Sequence, residues 1–184
     1  KNVKADAKLP PIPRVGVTFT IPKDFTDVKW YGEGPLENYS DRAMASIIRE
    51  WAAKIGVSTG VVGTDGEIGH LKDALPLNPD NYTEPGEQGY RTQCRWVEFL
   101  NKEGKKIKVT ALNAPFGFNV WPYPQSALEG PKHQWQIVKD DKLTVNIDAV
   151  QMGVGGDNSW GARPHDGDMV GKGEYSVSFL VEGL

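Results

Sequence analysis

The densest chemistry in the chain lies in Met152-Gly153-Val154-Gly155-Gly156-Asp157-Asn158-Ser159-Trp160. Its glycines free the backbone, Asp157 and Asn158 follow, and an indole stands at the far end. A turn of this kind suits the rim of a pocket, where a flat apolar ring lies against a ligand. The competing reading is a Trp buried in a core, as most large rings are. A phosphate loop needs a strand, glycines and a helix start in that order; here the spacing is G-x-G-G and no helical pattern follows. The segment Gly32–Arg42 is equally rich in turn-formers and ionisable groups. Its acids Glu33, Glu37 and Asp41 offer either an acid–base pair or a turn with internal ion pairs. Asp41 and Arg42 are expected to pin a loop at a domain interface. Glu87 sits in a glycine-flanked loop and Arg91 begins a strand; the expected role is a charge pair that supports the loop, with ligand contact as the alternative. His165-Asp166-Gly167-Asp168 has the oxygens and the glycine turn that suit calcium, but its spacing gives no full ligand set. An exposed loop and no metal site are expected there. Cys94 lies within a β pattern and reads as a small core residue.

The elements that must position these groups are strands. Val15, Val17, Phe19 and Ile21 alternate along Arg14–Ile21, with Gly16, Thr18 and Thr20 on the opposite face. Val28–Tyr31 is a second short strand that enters the turn-rich Gly32–Arg42. Met44, Ile47, Ile48, Trp51 and Ile55 recur at helical spacing, so residues 43–55 fit either an amphipathic helix or a strand with a crossing loop; the reading leans to strand. Residues 56–89 are rich in Gly, Pro, Asp and Asn and read as one long loop. Tyr90–Leu100 reads as a single strand, with Thr92, Cys94 and Trp96 on one face and Arg91, Gln93 and Arg95 on the other. Asn101-Lys102-Glu103-Gly104 is a hairpin signal leading into Ile107, Val109 and Ala111. Ala114–Val120, Lys142–Asp148 and Glu174–Val181 complete the set. Short strands separated by turns predict an all-β antiparallel sandwich. Residues 1–13, with Leu9-Pro10-Pro11-Ile12-Pro13, read as an extended lead-in, and residues 14–184 as the sandwich.

Composition agrees. The chain has 184 residues, 39% of them hydrophobic and 24% charged, as in ordinary globular domains. With 21 Gly, 13 Pro and 6 Trp it favours many turns and large rings over helices. The net charge of −3 leaves no basic excess to neutralise a phosphate backbone, so no nucleic-acid partner is expected. No apolar run approaches the ~20 residues that span a bilayer, and no membrane partner is expected. Cys94 has no internal partner for a disulfide, which leaves the redox compartment open. A start at Lys1 without a signal peptide reads as a mature form or a piece of a longer product.

Four blocks, in order, carry a family resemblance. Leu9-Pro10-Pro11-Ile12-Pro13-Arg14-Val15-Gly16 resembles an "LPP-x-x-R-x-G" entry strand. Trp30 to Arg42 resembles "W-x-G-x-GP-x-ENY-x-DR". Pro85-Gly86-Glu87-Gln88-Gly89-Tyr90-Arg91-Thr92 resembles "PQENGNRT", and Asn146 to Trp160 resembles "x-D-x-x-x-MG-x-GGDDSW". The second and fourth are highly specific. Together they resemble the C-terminal small-chain domain of family 2 β-galactosidases over residues 9–183. This chain departs from the pattern at Gly86, which replaces an amide, at Asn158, which replaces a carboxylate, and between Arg42 and Tyr82, where it is longer.

The resemblance implies a supersandwich of the galactose-mutarotase type, present here as a partial domain. It implies a parent enzyme whose (β/α)₈ barrel holds two catalytic glutamates with magnesium and sodium, so that this chain has no catalytic residue and no cofactor of its own. Its partners would be a galactoside and the barrel of the same polypeptide, in a homo-oligomer of the bacterial cytoplasm or periplasm. The Trp of the last block implies a sugar-stacking role for Trp160, with Asp157, Asn158, Glu87, Arg91, Asp41 and Arg42 as loop support. Glu33, Glu37 and Asp41 would have to flank one glycosidic bond, ~5 Å apart, to act as a retaining pair; the turn reading is preferred. Trp121-Pro122-Tyr123-Pro124 and Trp135 offer a carbohydrate platform, an interface patch or core. Two further readings stay open: a free-standing carbohydrate-binding module, and a mutarotase-like enzyme using His133 and Glu174.

Overall fold

A computed structural model describes residues 2–4, 11–55, 62–63, 86–133, 136–158 and 160–183. Trp135, and most of the expected loop 56–89, lie outside the described residues. The strands are β1 (Asn2–Lys4), β2 (Arg14–Pro22), β3 (Asp27–Gly34), β4 (Ile47–Lys54), β5 (Val62–Gly63), β6 (Arg91–Cys94), β7 (Trp96–Leu100), β8 (Lys106–Ala111), β9 (Phe116–Trp121), β10 (Lys142–Gln151), β11 (Glu174–Ser176) and β12 (Phe179–Gly183). Short 3-10 turns at Gln125–Leu128 and Asp166–Asp168 are the longest helical pieces among the described residues. The strands form an antiparallel four-stranded sheet, β2-β10-β9-β6, and an antiparallel six-stranded sheet, β12-β8-β7-β3-β4-β5. β1 pairs with β11 apart from both. The chain is therefore an all-β antiparallel sandwich, as its alternating segments require.

Apolar faces of the two sheets meet in one core. Val145, Ile147, Phe116, Phe118 and Val120 come from the small sheet, and Val28, Trp30, Trp51, Val97, Phe99 and Val109 from the large one. Trp30 and Trp51 stand opposite each other across the β3–β4 pair and are fully buried. Each indole N–H donates to a backbone carbonyl, Trp30 to Glu33 at 3.0 Å and Trp51 to Gly32 at 3.2 Å. At ~25 cal/mol per Å² each ring contributes on the order of 4–6 kcal/mol. Gly32 and Gly34 make room for this packing. A Cβ on Gly32 would stand 2.5 Å from Cys94 Sγ, and one on Gly34 2.7 Å from Trp51 Nε1. Cys94 is buried here, as its β pattern implies.

Within residues 43–55 the strand runs over Ile47–Lys54, after a turn at 43–46. Trp51, Ala53 and Ile55 alternate inward, whereas Met44, Ile47 and Ile48 are exposed. The helical spacing arose because small Ala53 hides the period of two. β3 runs on through Gly34, into what reads as turn. Two single-strand expectations are corrected. Tyr90–Leu100 breaks at Arg95, so that β6 joins the small sheet and β7 the large one. Gln93 has φ of +55°, and the register against β9 shifts between Arg91 and Cys94. This puts Arg91 and Cys94 on the same buried side, where strict alternation would separate them. Glu174–Val181 likewise splits between β11 and β12. The hairpin after β7 forms as expected. Asn101 Oδ1 accepts the backbone N–H groups of Glu103 and Lys105, both at 3.0 Å, and Gly104 takes φ of +84°.

Candidate functional site

β10 ends at Gln151, and the glycine-rich segment begins at once. Its backbone donors from Met152 to Gly155 are claimed by distant parts of the chain. Met152 N–H donates to Pro13 O at 2.8 Å and Gly153 N–H to Asp168 O at 2.8 Å. Val154 and Gly155 N–H groups both donate to the Asp41 carboxylate, at 3.2 and 2.7 Å. Asp41 thus holds the loop as a two-pronged acceptor, consistent with charge-assisted bonds to backbone N–H. The glycines permit the approach. A Cβ on Gly153 would lie 2.3 Å from Asp41 Oδ2, and one on Gly156 2.3 Å from Ala162 O. Beyond the clamp, Asn158 Oδ1 accepts the Trp160 N–H at 2.8 Å in a turn of the kind Asn favours. Asp157 pairs with His165 at 2.9 Å. That pair is exposed; the Asp157 contact raises the His165 pKa above its ordinary value.

Trp160 itself is 93% exposed. A hollow of about 270 Å³ lies beside the loop, lined by Asp41, Gly155, Gly156, Asp157, His165 and Asp168, among others. The arrangement presents an indole and a rim of acceptors on a loop held at its base. Among the described residues, no group of three or more His, Cys, Asp or Glu side chains could hold a metal ion. His165 precedes a short 3-10 turn over Asp166–Asp168 that has no buried residue.

A second polar assembly lies on the far face of the small sheet. Thr18 Oγ1 donates to Asn146 Oδ1, and Asn146 Nδ2 to Asn119 Oδ1, both at 2.6 Å. Asn119 Nδ2 donates to Glu87 Oε1 at 2.9 Å. Glu87 also accepts from Tyr39 OH at 3.2 Å and is ion-paired with Arg14. Arg14 faces Asp148 at 3.6 Å as well. Burial pushes the Glu87 carboxyl up to about 7 and that of Asp148 up to about 6, in both cases against the pull of Arg14. The charge pair that Glu87 makes is with Arg14, where a pair with Arg91 is the expectation from sequence. Arg91 is fully buried over the Trp30 ring at 5.3 Å and donates to Tyr90 O at 3.1 Å. Desolvation lowers its pKa to about 10, offset in part by Glu37.

The acids of Gly32–Arg42 diverge to separate tasks. Glu33 accepts from the Thr92 hydroxyl. Glu37 ties Arg42 to the Gly89 N–H, the latter at 2.7 Å. Asp41 holds the glycine loop. The ion pair inside the turn is that of Glu37 with Arg42. Trp121 and Tyr123 are buried with Leu128 in a small cluster of their own, so the core reading applies to them. His133 lies in an exposed turn and Glu174 begins β11; neither lines the hollow at the glycine-rich loop. Sequence reasoning missed Arg14, Tyr39, Asn119, Asn146 and Asp148. The available signal was polar residues recurring within otherwise apolar strands, Asn119 between Phe118 and Val120, Asn146 and Asp148 about Ile147.

Comparison with known proteins follows the same residues. The family described as Beta galactosidase small chain matches residues 1–59 and 67–181. A β-galactosidase of Halalkalibacterium halodurans is 31% identical over 179 residues, covering 97% of this chain and 16% of the relative. One of Priestia megaterium is 33% identical over 177 residues, 96% of this chain and 15% of the relative. One of Streptococcus thermophilus is 28% identical over 184 residues, 100% of this chain and 16% of the relative. The chain thus spans about one-sixth of the length of these curated relatives.

Proposed function

Because this chain belongs to the β-galactosidase small-chain family, we propose that it serves as the accessory β-sandwich domain of a β-galactosidase. It walls one side of the galactoside pocket with Trp160, while a catalytic barrel supplies the hydrolytic carboxylates. The observation that carries this reading is the Trp160 indole, 93% exposed at the end of a loop that Asp41 clamps. An apolar ring held open to solvent on a braced support suits the C–H face of a sugar.

The test is kinetic. In the polypeptide or complex that holds the barrel, Trp160→Ala should raise KM for a galactoside about tenfold, the worth of ~1.4 kcal/mol from one stacked ring. Thermal unfolding should not move, since the ring is outside the core. Unchanged kinetics would overturn the assignment.

A further inference from the structure

The chain that carries Trp160 doubles back and meets itself at two levels. At the first, Gly156 passes so close to Ala162 that a Cβ would lie 2.3 Å from its carbonyl oxygen. At the second, Asp157 Oδ1 and His165 Nε2 stand 2.9 Å apart. Gly161, with φ of +92°, helps to reverse the chain between them. The upstream limb is held from outside, since Asp41 accepts from Val154 and Gly155, and Asp168 O accepts from Gly153. The Asp157–His165 pair ties the downstream limb to it. Unlike the backbone bonds, that tie changes with a proton. The charged groups about His165 are carboxylates. Asp157 comes from the loop, Asp166 and Asp168 from the adjoining 3-10 turn, and Asp41, after β3, lines the same hollow. The hydrogen bond to Asp157, and then the negative charges of Asp157, Asp168 and Asp166, raise the His165 pKa above its ordinary value. Both side chains of the pair are exposed, so its proton exchanges freely with solvent and its hold is modest.

We propose that His165 is a positioning residue for Trp160: its imidazolium draws the two limbs of the loop together at Asp157, and its neutral ring loosens them. A folded pKa above the unfolded one means that the tie is fully made at low pH and is given up as pH rises through the folded value. The loop is therefore best ordered in mildly acidic solution and gains freedom in alkali. The consequence for catalysis rests on the sugar-stacking reading of Trp160, because a ring already held in place loses less freedom when a ligand stacks on it. The tie itself does not rest on that reading.

The experiment follows the isotope-labelled 184-residue chain by NMR between about pH 5.5 and about pH 8.5. Imidazole shifts give the titration midpoint of His165, and nitrogen relaxation gives the order parameter of the Trp160 backbone N–H. The midpoint should lie above the ordinary ~6.5, and Asp157→Asn should bring it back down. The order parameter should fall from about 0.85 toward about 0.6 as pH passes through that midpoint. Asp157→Asn should hold the low value at every pH. His165→Lys, which keeps a cation opposite Asp157 throughout, should hold the high one. Both substituted positions are exposed and outside the core, so the fold should stand. An order parameter that stays flat across the His165 titration overturns the proposal. So does a pH dependence that survives Asp157→Asn. No galactoside enters these readouts, whereas failure of the sugar-stacking role shows as unchanged kinetics of Trp160→Ala.

Discussion

Asp41 is a single carboxylate that stands in for a whole element, because two loop N–H groups end on it. Gly153→Ala would drive a methyl into that carboxylate, and Asp41→Ala would remove it. Both changes release the same contact. In the assembled enzyme each should lower kcat/KM for a galactoside, and the double variant should be no worse than the worse single one, a coupling that a double-mutant cycle measures. Fully additive losses would separate the two residues. Glu87 invites a different measurement. A carboxyl whose folded pKa lies above its unfolded one favours the folded state at low pH and gives that stability up as pH rises through the folded value. For Glu87 the window runs from about 4.5 to about 7, and for Asp148 from about 3.8 to about 6. Stability of the chain should therefore fall by on the order of a few kcal/mol between those limits. Glu87→Gln should flatten the upper part of the slope. Chemical denaturation at pH 5, 6 and 7 checks both statements.

At the scale of strands, Gly32 and Cys94 decide how closely the two sheets approach. Gly32→Ala would place its methyl 2.8 Å from the Cys94 Cα, a backbone atom that cannot rotate away. The expected cost is ~1–3 kcal/mol, seen as a lower denaturation midpoint with an unchanged slope. This scale also shows how far the sequence could be read. β2, β9 and β10 were legible because large apolar residues alternate without interruption. β4 was ambiguous because Ala53 carries its period weakly. The Tyr90–Leu100 run could not be divided in advance, because the break depends on one residue, Gln93, taking a positive φ that no local pattern announces. The loop at Met152–Trp160 was legible as a loop, since its glycines speak for themselves. Its anchor was half legible: Asp41 read as a pin, but its target lies 113 residues away in the chain. The Glu87 network was hidden for the same reason, with Arg14 removed from it by 73 residues.

Among the described residues, the acids Glu33, Glu37, Glu87 and Asp148 are committed to structure. Glu87 and Asp148 face the same arginine, and Glu33 and Glu37 are occupied by Thr92, Gly89 and Arg42. Retaining hydrolysis needs two free carboxylates about one bond, ~5 Å apart. The accessory role proposed for the chain predicts no release of product from a chromogenic galactoside above the buffer rate by the chain alone, and measurable turnover would refute that division of labour. The split run at Arg95 has one more result. A short stretch of backbone is stitched into both layers, so neither layer can peel off while the other stays intact. Amide protons of β6 and β7 should exchange together, in a single step with the global opening, and a slow-exchanging half-molecule should never be seen.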